Sequence, residues 1–443
     1  MEESYRVGIL GYGFIGRVHA WAHYNLRFHY DFPFHTEIVR VATSRRETAD
    51  AAATELGAEG TTEPREITQA DDVDVVHICT PNNLHRGALL EAIGAGKHIY
   101  CDKPLVVTLA EAAEVEKAAV SAGYIKAEGA QGQGPARAQA AMPPAPAPAR
   151  PATPGPDSAA SRPATPPAFG MTFHNRFFPA TMHARHLVEE GFLGTPLSFR
   201  AAYLHSGSVD PAAPLKWKLS RAAGGGVVRD LGSHVLDLVS WLLGPIREVQ
   251  AITDIAYPER PDPASPGTRH PVEAEDNMLL TCRILPTVAP EHRAEPIPGV
   301  VEASKLATGT EDELRVELHG SLGAIRFNSM DPHHLEIYDR REFRASGPAP
   351  GGWTRLQTGG RYPKPAKTFP SPKNAVGWLR AHLACVASFM EHMHEGTPPD
   401  PGLPAGLYIQ EVMDAVDRSA PTGAPVALSG TGNLGAGEDV SIR

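Results

Sequence analysis

Apolar residues follow two alternating periods over the N-terminal part of the chain. Short β-branched runs of strand length are separated by Ala-, Leu- and Glu-rich stretches with helical spacing. The strand-length runs cover residues 5–11, 37–44, 72–81 and 97–104. Apolar strands that alternate with helices are typical of a parallel sheet with helices on both faces. The pattern therefore predicts an α/β, doubly wound domain over residues 1–126.

Residues 127–168 have a different composition, rich in proline and alanine and nearly devoid of large apolar side chains. Such a segment cannot bury enough surface to offset the conformational entropy of the chain. We interpret it as a disordered or polyproline-like insertion, and as a tolerated loop rather than a docking segment.

The pattern changes again from residue 170 onward. Several strand-length runs follow one another without helices between them, which is typical of an antiparallel sheet with helices on one side. The predicted strands cover residues 171–178, 196–206, 247–257, 277–284, 314–320 and 323–330. The predicted helices cover residues 179–190, 231–243, 374–395 and 404–420, and the predicted proline-rich loops cover 257–271 and 285–299. The sequence thus predicts an α+β domain with a mainly antiparallel open sheet over residues 169–443.

Composition excludes several classes of function. The net charge of −10 and the lack of a basic run with interleaved aromatics argue against a nucleic-acid partner. No apolar stretch reaches the roughly 20 residues that cross a bilayer. The four cysteines form no CxxC pair, and the first residues do not resemble a signal peptide. We therefore expect a soluble, cytoplasmic protein without a membrane partner.

The segment "GILGYGFIGRVHA" follows the first predicted strand and opens a predicted helix. It places Gly11, Gly13 and Gly16 in the pattern G-x-G-x-x-G, with Phe14 and Ile15 between them. The first glycine permits a tight turn, the second lets a pyrophosphate approach the backbone, and the third lets the helix pack on the strand. In this context the motif predicts a dinucleotide site, with phosphates at the helix N-terminus.

The end of the second strand predicts which dinucleotide binds. NAD-binding versions of this unit usually carry an acidic residue here, whereas this chain has Ser44, Arg45 and Arg46. A hydroxyl and a guanidinium would bind a 2′-phosphate, so NADP is favoured and NAD is the second choice. The alternative is that the arginine pair is only the solvated start of the next helix.

Polar residues follow the third and fourth predicted strands. Thr80, Pro81, Asn82 and His85 come after the third strand, and Lys103 comes after the fourth. Ligands in open α/β sheets lie at the carboxyl ends of the strands, so these residues are predicted to face the cofactor crevice. A lysine before a proline could equally be a solvated turn residue.

The segment "RDLGSHVLDL" places Asp230, His234 and Asp237 within a stripe of roughly 60° on a helix with about 100° per residue. This stripe lies apart from the apolar face, and it could be a solvated face, a metal site or the wall of a cleft. For Asp237 a structural hydrogen-bond role is as plausible as a place on the cleft wall. Two aspartates and a histidine are unusual for a solvated face, and no further ligand cluster is evident nearby, so we expect no metal. The glycines before it, 224–226, are interpreted as clearance for a cofactor or substrate. Trp217 could stack on a sugar ring or simply pack.

Six motifs in order give the chain a resemblance to the Gfo/Idh/MocA family, and loosely to its anhydrosugar dehydrogenase-like branch. They are "GYGFIG", "TPNNLH", "DKPLVVT", "HNRFFP", "GGGVVRDLGSHVLDLVSWLLG" and "QEVMDAVDRSAPTGAPVAL". The resemblance implies a Rossmann domain followed by a substrate-binding domain. It also implies assembly into homodimers or homotetramers through the open sheet.

The resemblance also implies roles for individual residues. Lys103 would contact the substrate hydroxyl and the nicotinamide region, with His234 as proton acceptor and Asp230 as its partner. Asn82 and His85 would lie beside the cofactor. The residues implied at the edge of the substrate pocket are His174 and Arg176.

Together these features predict a nicotinamide-dependent oxidoreductase that acts on a hydroxyl of a sugar, anhydrosugar or cyclitol. The first alternative is an NAD-dependent glycosidase of the same fold, which cleaves through a transient oxidation. The second is a non-catalytic nucleotide-sensing regulator, which would have no need of Lys103, Asp230 and His234 together.

Overall fold

The computed structural model describes residues 3–126, 166–265, 267–287, 295–341 and 352–428. The predicted insertion over residues 127–168 therefore lies almost wholly outside the described residues, and its interpretation stays a prediction. No helix in the described part of the chain combines the length and apolarity that a bilayer crossing requires.

The N-terminal half of the chain forms a six-stranded sheet in which every pairing is parallel. Its strands are β1 (Glu3–Leu10), β2 (Phe34–Ala42), β3 (Glu59–Thr61), β4 (Val75–Ile78), β5 (His98–Cys101) and β6 (Phe169–Met171). The spatial order is β3-β2-β1-β4-β5-β6. The chain reverses its direction of travel at β1, so a crevice opens beside β1 and β4 at their carboxyl ends. This confirms the predicted doubly wound Rossmann fold.

Helices flank this sheet, and their ends follow the local sequence. They are α1 (Phe14–His29), α2 (Arg46–Leu56), α3 (Arg65–Thr68), α4 (His85–Gly94) and α5 (Leu109–Ser121). The Thr108 hydroxyl accepts a bond from the Glu111 N–H at 3.2 Å, and the Glu111 carboxylate accepts one from the Thr108 N–H at 3.2 Å. This capping box starts α5, whereas α2 ends at Gly57 with a φ of 66°.

The C-terminal half forms a nine-stranded sheet with helices on one side. Its strands are β7 (Pro196–Leu204), β8 (Ile246–Asp254), β11 (Asn277–Ile284), β12 (Ile297–Ser304), β13 (Glu313–Gly320), β14 (Gly323–Asn328), β15 (His334–Asp339), β16 (Thr354–Gln357) and β17 (Val426–Ala427). The order is β16-β15-β14-β13-β7-β12-β11-β8-β17, and only β7 and β12 pair in parallel. The mainly antiparallel open sheet is confirmed.

Among the described residues, four helices of eleven or more residues belong to the C-terminal half of the chain. They are α6 (Pro179–Glu189), α7 (Ser233–Leu243), α8 (Trp378–Glu395) and α9 (Leu403–Ser419). Helices α6, α7 and α9 pack on the nine-stranded sheet, but α8 packs on α1. Val386 and Phe389 of α8 share a core cluster with Val7 and Ile9 of β1. Part of the C-terminal sequence thus covers the N-terminal sheet.

The structure corrects several predicted elements. Residues 171–178 are not one strand, because β6 ends at Met171 and a 3₁₀ turn follows at His174–Phe177. Since β6 pairs with β5, the first sheet extends past the predicted domain boundary. The predicted loop 257–271 contains a hairpin of β9 (Glu259–Pro261) and β10 (Arg269–Pro271). The loop 285–299 ends inside β12, which has a proline at position 298 that weakens its strand pattern.

Candidate functional site

A cavity of about 1340 Å³ lies at the carboxyl ends of β1, β2 and β4 and extends to the second domain. Thirteen of the sixteen predicted site residues line it. They are Gly11, Gly13, Phe14, Ile15, Ser44, Arg45, Thr80, Pro81, Asn82, Lys103, His174, Asp230 and His234. The other three, Gly16, His85 and Arg176, do not line it. The fold thus brings segments from four strand ends and the second domain to one crevice.

The glycine loop has the geometry that a dinucleotide requires. Gly11 has a φ of 87°, and an added Cβ would lie 2.6 Å from the Cys79 carbonyl oxygen. Gly13 has open space where a Cβ would be, and no side chain caps the helix that follows it. A Cβ on Gly16 would lie 2.1 Å from the Gly11 carbonyl oxygen, so Gly16 acts in helix–strand packing rather than at the ligand. Free N–H groups at the start of α1 therefore fit a pyrophosphate.

The residues after β2 line the same cavity beside the glycine loop, since the Gly11 N–H donates to the Ala42 carbonyl at 2.9 Å. Ser44 and Arg45 are exposed and line it. Arg46 points away and pairs with Asp50, with 2.7 Å between Nη2 and Oδ1. Within the described chain Arg45 has no acidic partner, so its guanidinium is available to a ligand.

Asn82 and His85 serve the site by holding its loops. The Asn82 amide donates to the Gly224 carbonyl at 2.7 Å and so ties the first domain to the second. His85 is fully buried, and its ring nitrogens lie 3.0 Å from the carbonyl oxygens of Pro104 and Thr80. His85 was predicted to contact the cofactor, but its buried ring instead holds the turns that carry Thr80 and Lys103. We therefore assign His85 a positioning role.

Three lysines surround the carboxylate of Asp230. Lys103 donates to its main-chain oxygen at 2.6 Å and lies 3.3 Å from Oδ1. Lys218 lies 2.9 Å from Oδ1, and Lys305 lies 3.0 Å from Oδ2. Burial acts to raise the pKa of Asp230, but the three ammonium groups outweigh it and hold that pKa well below its usual range.

The chain reaches Asp230 through a π-helical turn, Val228–Gly232, rather than through the predicted α-helix. The wider turn changes the angle between Asp230 and the residues of α7 that follow. Asp230 and His234 face the cavity, but Asp237 lies on the buried side, 2% exposed. Its Oδ2 accepts from Nε of Arg176 at 2.8 Å. Asp237 therefore lies in the core and has the structural hydrogen-bonding role that was one of its two alternatives.

Arg176 is a structural residue and not a substrate ligand in this fold. It binds Asp237 through two nitrogens and donates from Nη1 to Asp400 at 2.7 Å. Burial and Asp237 act in opposite directions on its guanidinium, and its pKa stays raised. The predicted place of Arg176 at the pocket edge is therefore corrected: it joins the 3₁₀ turn, α7 and the loop before α9.

Aromatic and imidazole rings line the cavity beside His234. The His174 ring lies 5.0 Å from that of His234 and stacks at 3.7 Å on that of His382. Trp378 covers His382 at 4.1 Å and stacks on Phe14 of the glycine loop at 5.5 Å. Burial, with the charge of Lys103, lowers the pKa of His234 well below its ordinary value, so its ring is neutral.

The glycines before Asp230 make room for protein neighbours. A Cβ on Gly224 would lie 2.7 Å from the Asn82 Cβ, and one on Gly225 would lie 2.4 Å from the Lys218 carbonyl oxygen. These glycines thus make room for the loops that carry Asn82 and Lys218. Gly224 and Gly225 also line the cavity, so the clearance for a cofactor or substrate stays a prediction.

Sequence reasoning missed several residues of the cavity wall. They are Tyr203, His205, Lys218, Asp312, Trp378 and His382. Lys218 is next to Trp217, the candidate for stacking on a sugar ring. The other five residues lie in no recognisable sequence motif. Among the described residues, no group of three or more His, Cys, Asp or Glu side chains is arranged to hold a metal ion.

Comparison with known proteins agrees with this architecture. A family model described as an oxidoreductase family with an NAD-binding Rossmann fold matches residues 5–129, and the GFO/IDH/MocA C-terminal domain matches residues 181–326. The chain therefore belongs to the Gfo/Idh/MocA family. It is an oxidoreductase with an NAD-binding Rossmann domain, which confirms the dinucleotide site that the glycine motif predicted.

Named relatives extend over most of the chain. Levoglucosan dehydrogenase of Pseudarthrobacter phenanthrenivorans is 27% identical over 439 residues, covering 94% of this chain and 96% of that protein. Inositol 2-dehydrogenase of Rhizobium meliloti is 26% identical over 332 residues, covering 75% and 78%. The solved structure of levoglucosan dehydrogenase in complex with NADH and levoglucosan is 26% identical, with a TM-score of 0.79 and coverage of 96% and 100%.

Proposed function

We propose that this protein oxidises a secondary hydroxyl of a sugar, anhydrosugar or cyclitol, or catalyses the reverse reduction. The observation that carries the proposal is that Lys103, Asp230 and His234 line the same cavity as the glycine loop. Relatives named for levoglucosan and inositol support the substrate class. Retention of all three side chains at the cavity argues against a purely nucleotide-sensing regulator.

The chain's own groups supply position, charge and a base, and a bound nicotinamide supplies the hydride chemistry. Lys103, fixed by Asp230, places a positive charge where the substrate oxygen develops alkoxide character. His234 is neutral and accepts the hydroxyl proton as the carbonyl forms. Asp230 holds the ammonium in place and keeps its own negative charge.

An absorbance screen at 340 nm tests the proposal. NAD and NADP are offered separately over a panel of sugars, anhydrosugars and cyclitols, and His234→Ala and Lys103→Ala are each expected to lower kcat by roughly 10²-fold or more. His334→Ala, far from the cavity, is the matched control. Near-normal turnover in both site variants would contradict the assigned roles. Glycoside cleavage without net absorbance change would favour the glycosidase alternative.

We further propose NADP as the preferred cofactor, with NAD second. Arg45 is exposed at the cavity end that follows β2, while Arg46 is occupied by Asp50. A planar guanidinium suits a phosphate, and residues 43–46, directly after β2, include no acidic side chain to hold the ribose hydroxyls. The relative solved with NADH marks NAD as the competing choice.

Replacing Arg45 tests this preference. Arg45→Glu is expected to lower kcat/KM for NADP about ten-fold or more, because the phosphate loses its partner and meets a negative charge. The kcat/KM for NAD should change little in this variant. Arg46→Ala should leave kcat/KM for NADP and for NAD unchanged. A wild-type protein that uses NAD at least as well as NADP would overturn the preference.

A homodimer or homotetramer through the open sheet is part of the proposed function. The outer face of the nine-stranded sheet exposes large apolar side chains on three neighbouring strands, β8, β11 and β12. They are Ile252, Leu279 and Val300. An apolar patch rimmed by polar residues is typical of a protein interface.

The four unpaired cysteines support the expected cytoplasmic location.

A further inference from the structure

One carboxylate at the substrate end of the cavity carries three ammonium groups. Lys218 reaches both oxygens of Asp230, at 2.9 and 3.0 Å, while Lys305 and Lys103 lie at 3.0 and 3.3 Å. A single negative charge balances only one of these three positive charges. Such an excess is costly in a buried site unless another anion joins it.

The other carboxylates near this cluster are not paired with its lysines. Within the described residues neither Asp102 nor Asp312 forms an ion pair with Lys103, Lys218 or Lys305, and burial acts to raise the pKa of both carboxyl groups. Burial lowers the pKa of His205 to about 4 and that of His234 well below its ordinary value, so both rings are neutral. Asp230 is therefore the one carboxylate of the described residues that pairs with all three ammonium groups, and they hold its pKa well below the usual range.

Of the three lysines around Asp230, Lys218 is the one whose ammonium group is most exposed to the cavity. Its side chain is 48% exposed and lines the cavity, whereas those of Lys103 and Lys305 are 10% and 5% exposed. Lys218 lies on a 3₁₀ turn, Trp217–Leu219, beside the half-exposed ring of Trp217. An indole face suits the C–H face of a sugar, and an ammonium beside it suits an acidic substituent.

We propose that the substrate is a sugar that carries an anionic group, a carboxylate or a phosphate monoester, and that Lys218 binds this group. The inference deepens the proposed function and rests on it. Trp217 packs on the ring of the sugar, Lys218 pairs with its acidic group, and the reacting hydroxyl lies at Lys103 and His234. A neutral sugar fits the same catalytic groups but leaves the positive charge uncompensated.

Matched substrates test this specificity in the full-length enzyme. Initial rates at 340 nm are compared for a neutral hexose, its hexuronate and its 6-phosphate, at low and high salt. We expect kcat/KM for at least one anion to exceed that for the neutral sugar about ten-fold, and the excess to shrink as salt screens the pairing. The anion preferred identifies the carboxylate or the phosphate as the group recognised.

Lys218→Gln should reduce the ratio of the anionic to the neutral kcat/KM about ten-fold, chiefly through KM. Lys218→Arg should restore most of it, and Lys216→Gln is the matched control that should keep the wild-type ratio. An equal loss for both substrates in Lys218→Gln would mean a structural role and overturn the inference. A neutral sugar used as well as both anions would overturn it while the proposed function stands. If no sugar of the panel is turned over with NAD or with NADP, both this inference and the proposed function are overturned.

Discussion

Single residues divide into those that face the cavity and those that hold its walls. Lys103, Asp230 and His234 could be identified from the sequence because each lies in a short motif with a distinctive spacing. Lys305 and His382 could not, because Lys305 reaches Asp230, and His382 reaches the cavity, only through pairings between distant parts of the chain. Sequence periodicity also cannot reveal a π-helical turn, so the angle between Asp230 and the residues of α7 could not be predicted.

Removing the charge of Asp237 should destabilise the protein rather than alter its chemistry. Asp237→Ala leaves the buried guanidinium of Arg176 with only the half-exposed Asp400, which costs about 3–5 kcal/mol of unfolding free energy. Arg46→Ala removes an exposed pair and is the control, at about 0.5 kcal/mol or less. Urea unfolding measures both. Equal effects of the two substitutions would contradict the buried role.

At the scale of elements, short irregular turns position the site between regular helices and strands. The sequence predicted α6 and α9 almost to the residue, since their apolar spacing is regular and each begins at a proline-containing turn. The 3₁₀ turns and the small strands β3, β9 and β10 were missed, because three or four residues are too few to show a period. These short elements carry Lys218 and His174.

Gly225→Ala tests how tightly one such turn is held. The added methyl group would lie 2.4 Å from the Lys218 carbonyl oxygen and 2.8 Å from that of Ser220, so the backbone must shift. We expect a loss of about 1–3 kcal/mol in stability and a raised KM for substrate. Gly94→Ala, which meets nothing within 4 Å, should be neutral or slightly stabilising. Unchanged KM in Gly225→Ala would show that the turn tolerates displacement.

At the scale of the whole molecule, buried histidines connect α1 with the centre of the first sheet. His77 on β4 lies 3.0 Å from Nδ1 of His19 and 2.9 Å from Nε2 of His23, and His23 continues to Thr36 on β2 at 3.1 Å. Burial lowers the pKa of His19 and of His23 to about 3 each. The folded protein therefore keeps these rings neutral where the unfolded chain would protonate them.

This difference makes stability depend on pH. Below pH about 6.5 the unfolded chain binds protons that the folded state excludes, so the unfolding free energy falls towards pH 3 by about 1.4 kcal/mol per pH unit per histidine. Urea midpoints at pH 7 and pH 5 measure the loss. His23→Gln should make the decline shallower, whereas His35→Gln, at an exposed site, should not. Parallel declines in all three proteins would contradict this account.

Strand β6 follows residues 127–165 in the chain and yet completes the N-terminal sheet, with Ile99, Tyr100 and Cys101 of β5 as its partners. Gly170 of β6 also bridges to Gly402, just before α9. A single cleavage between positions 126 and 166 would thus divide the covalent chain but leave its two fragments joined along a common sheet edge. Neither fragment contains a complete nucleotide-binding sheet. The enzyme is therefore suited to fragment complementation, with activity returning only when both pieces are mixed.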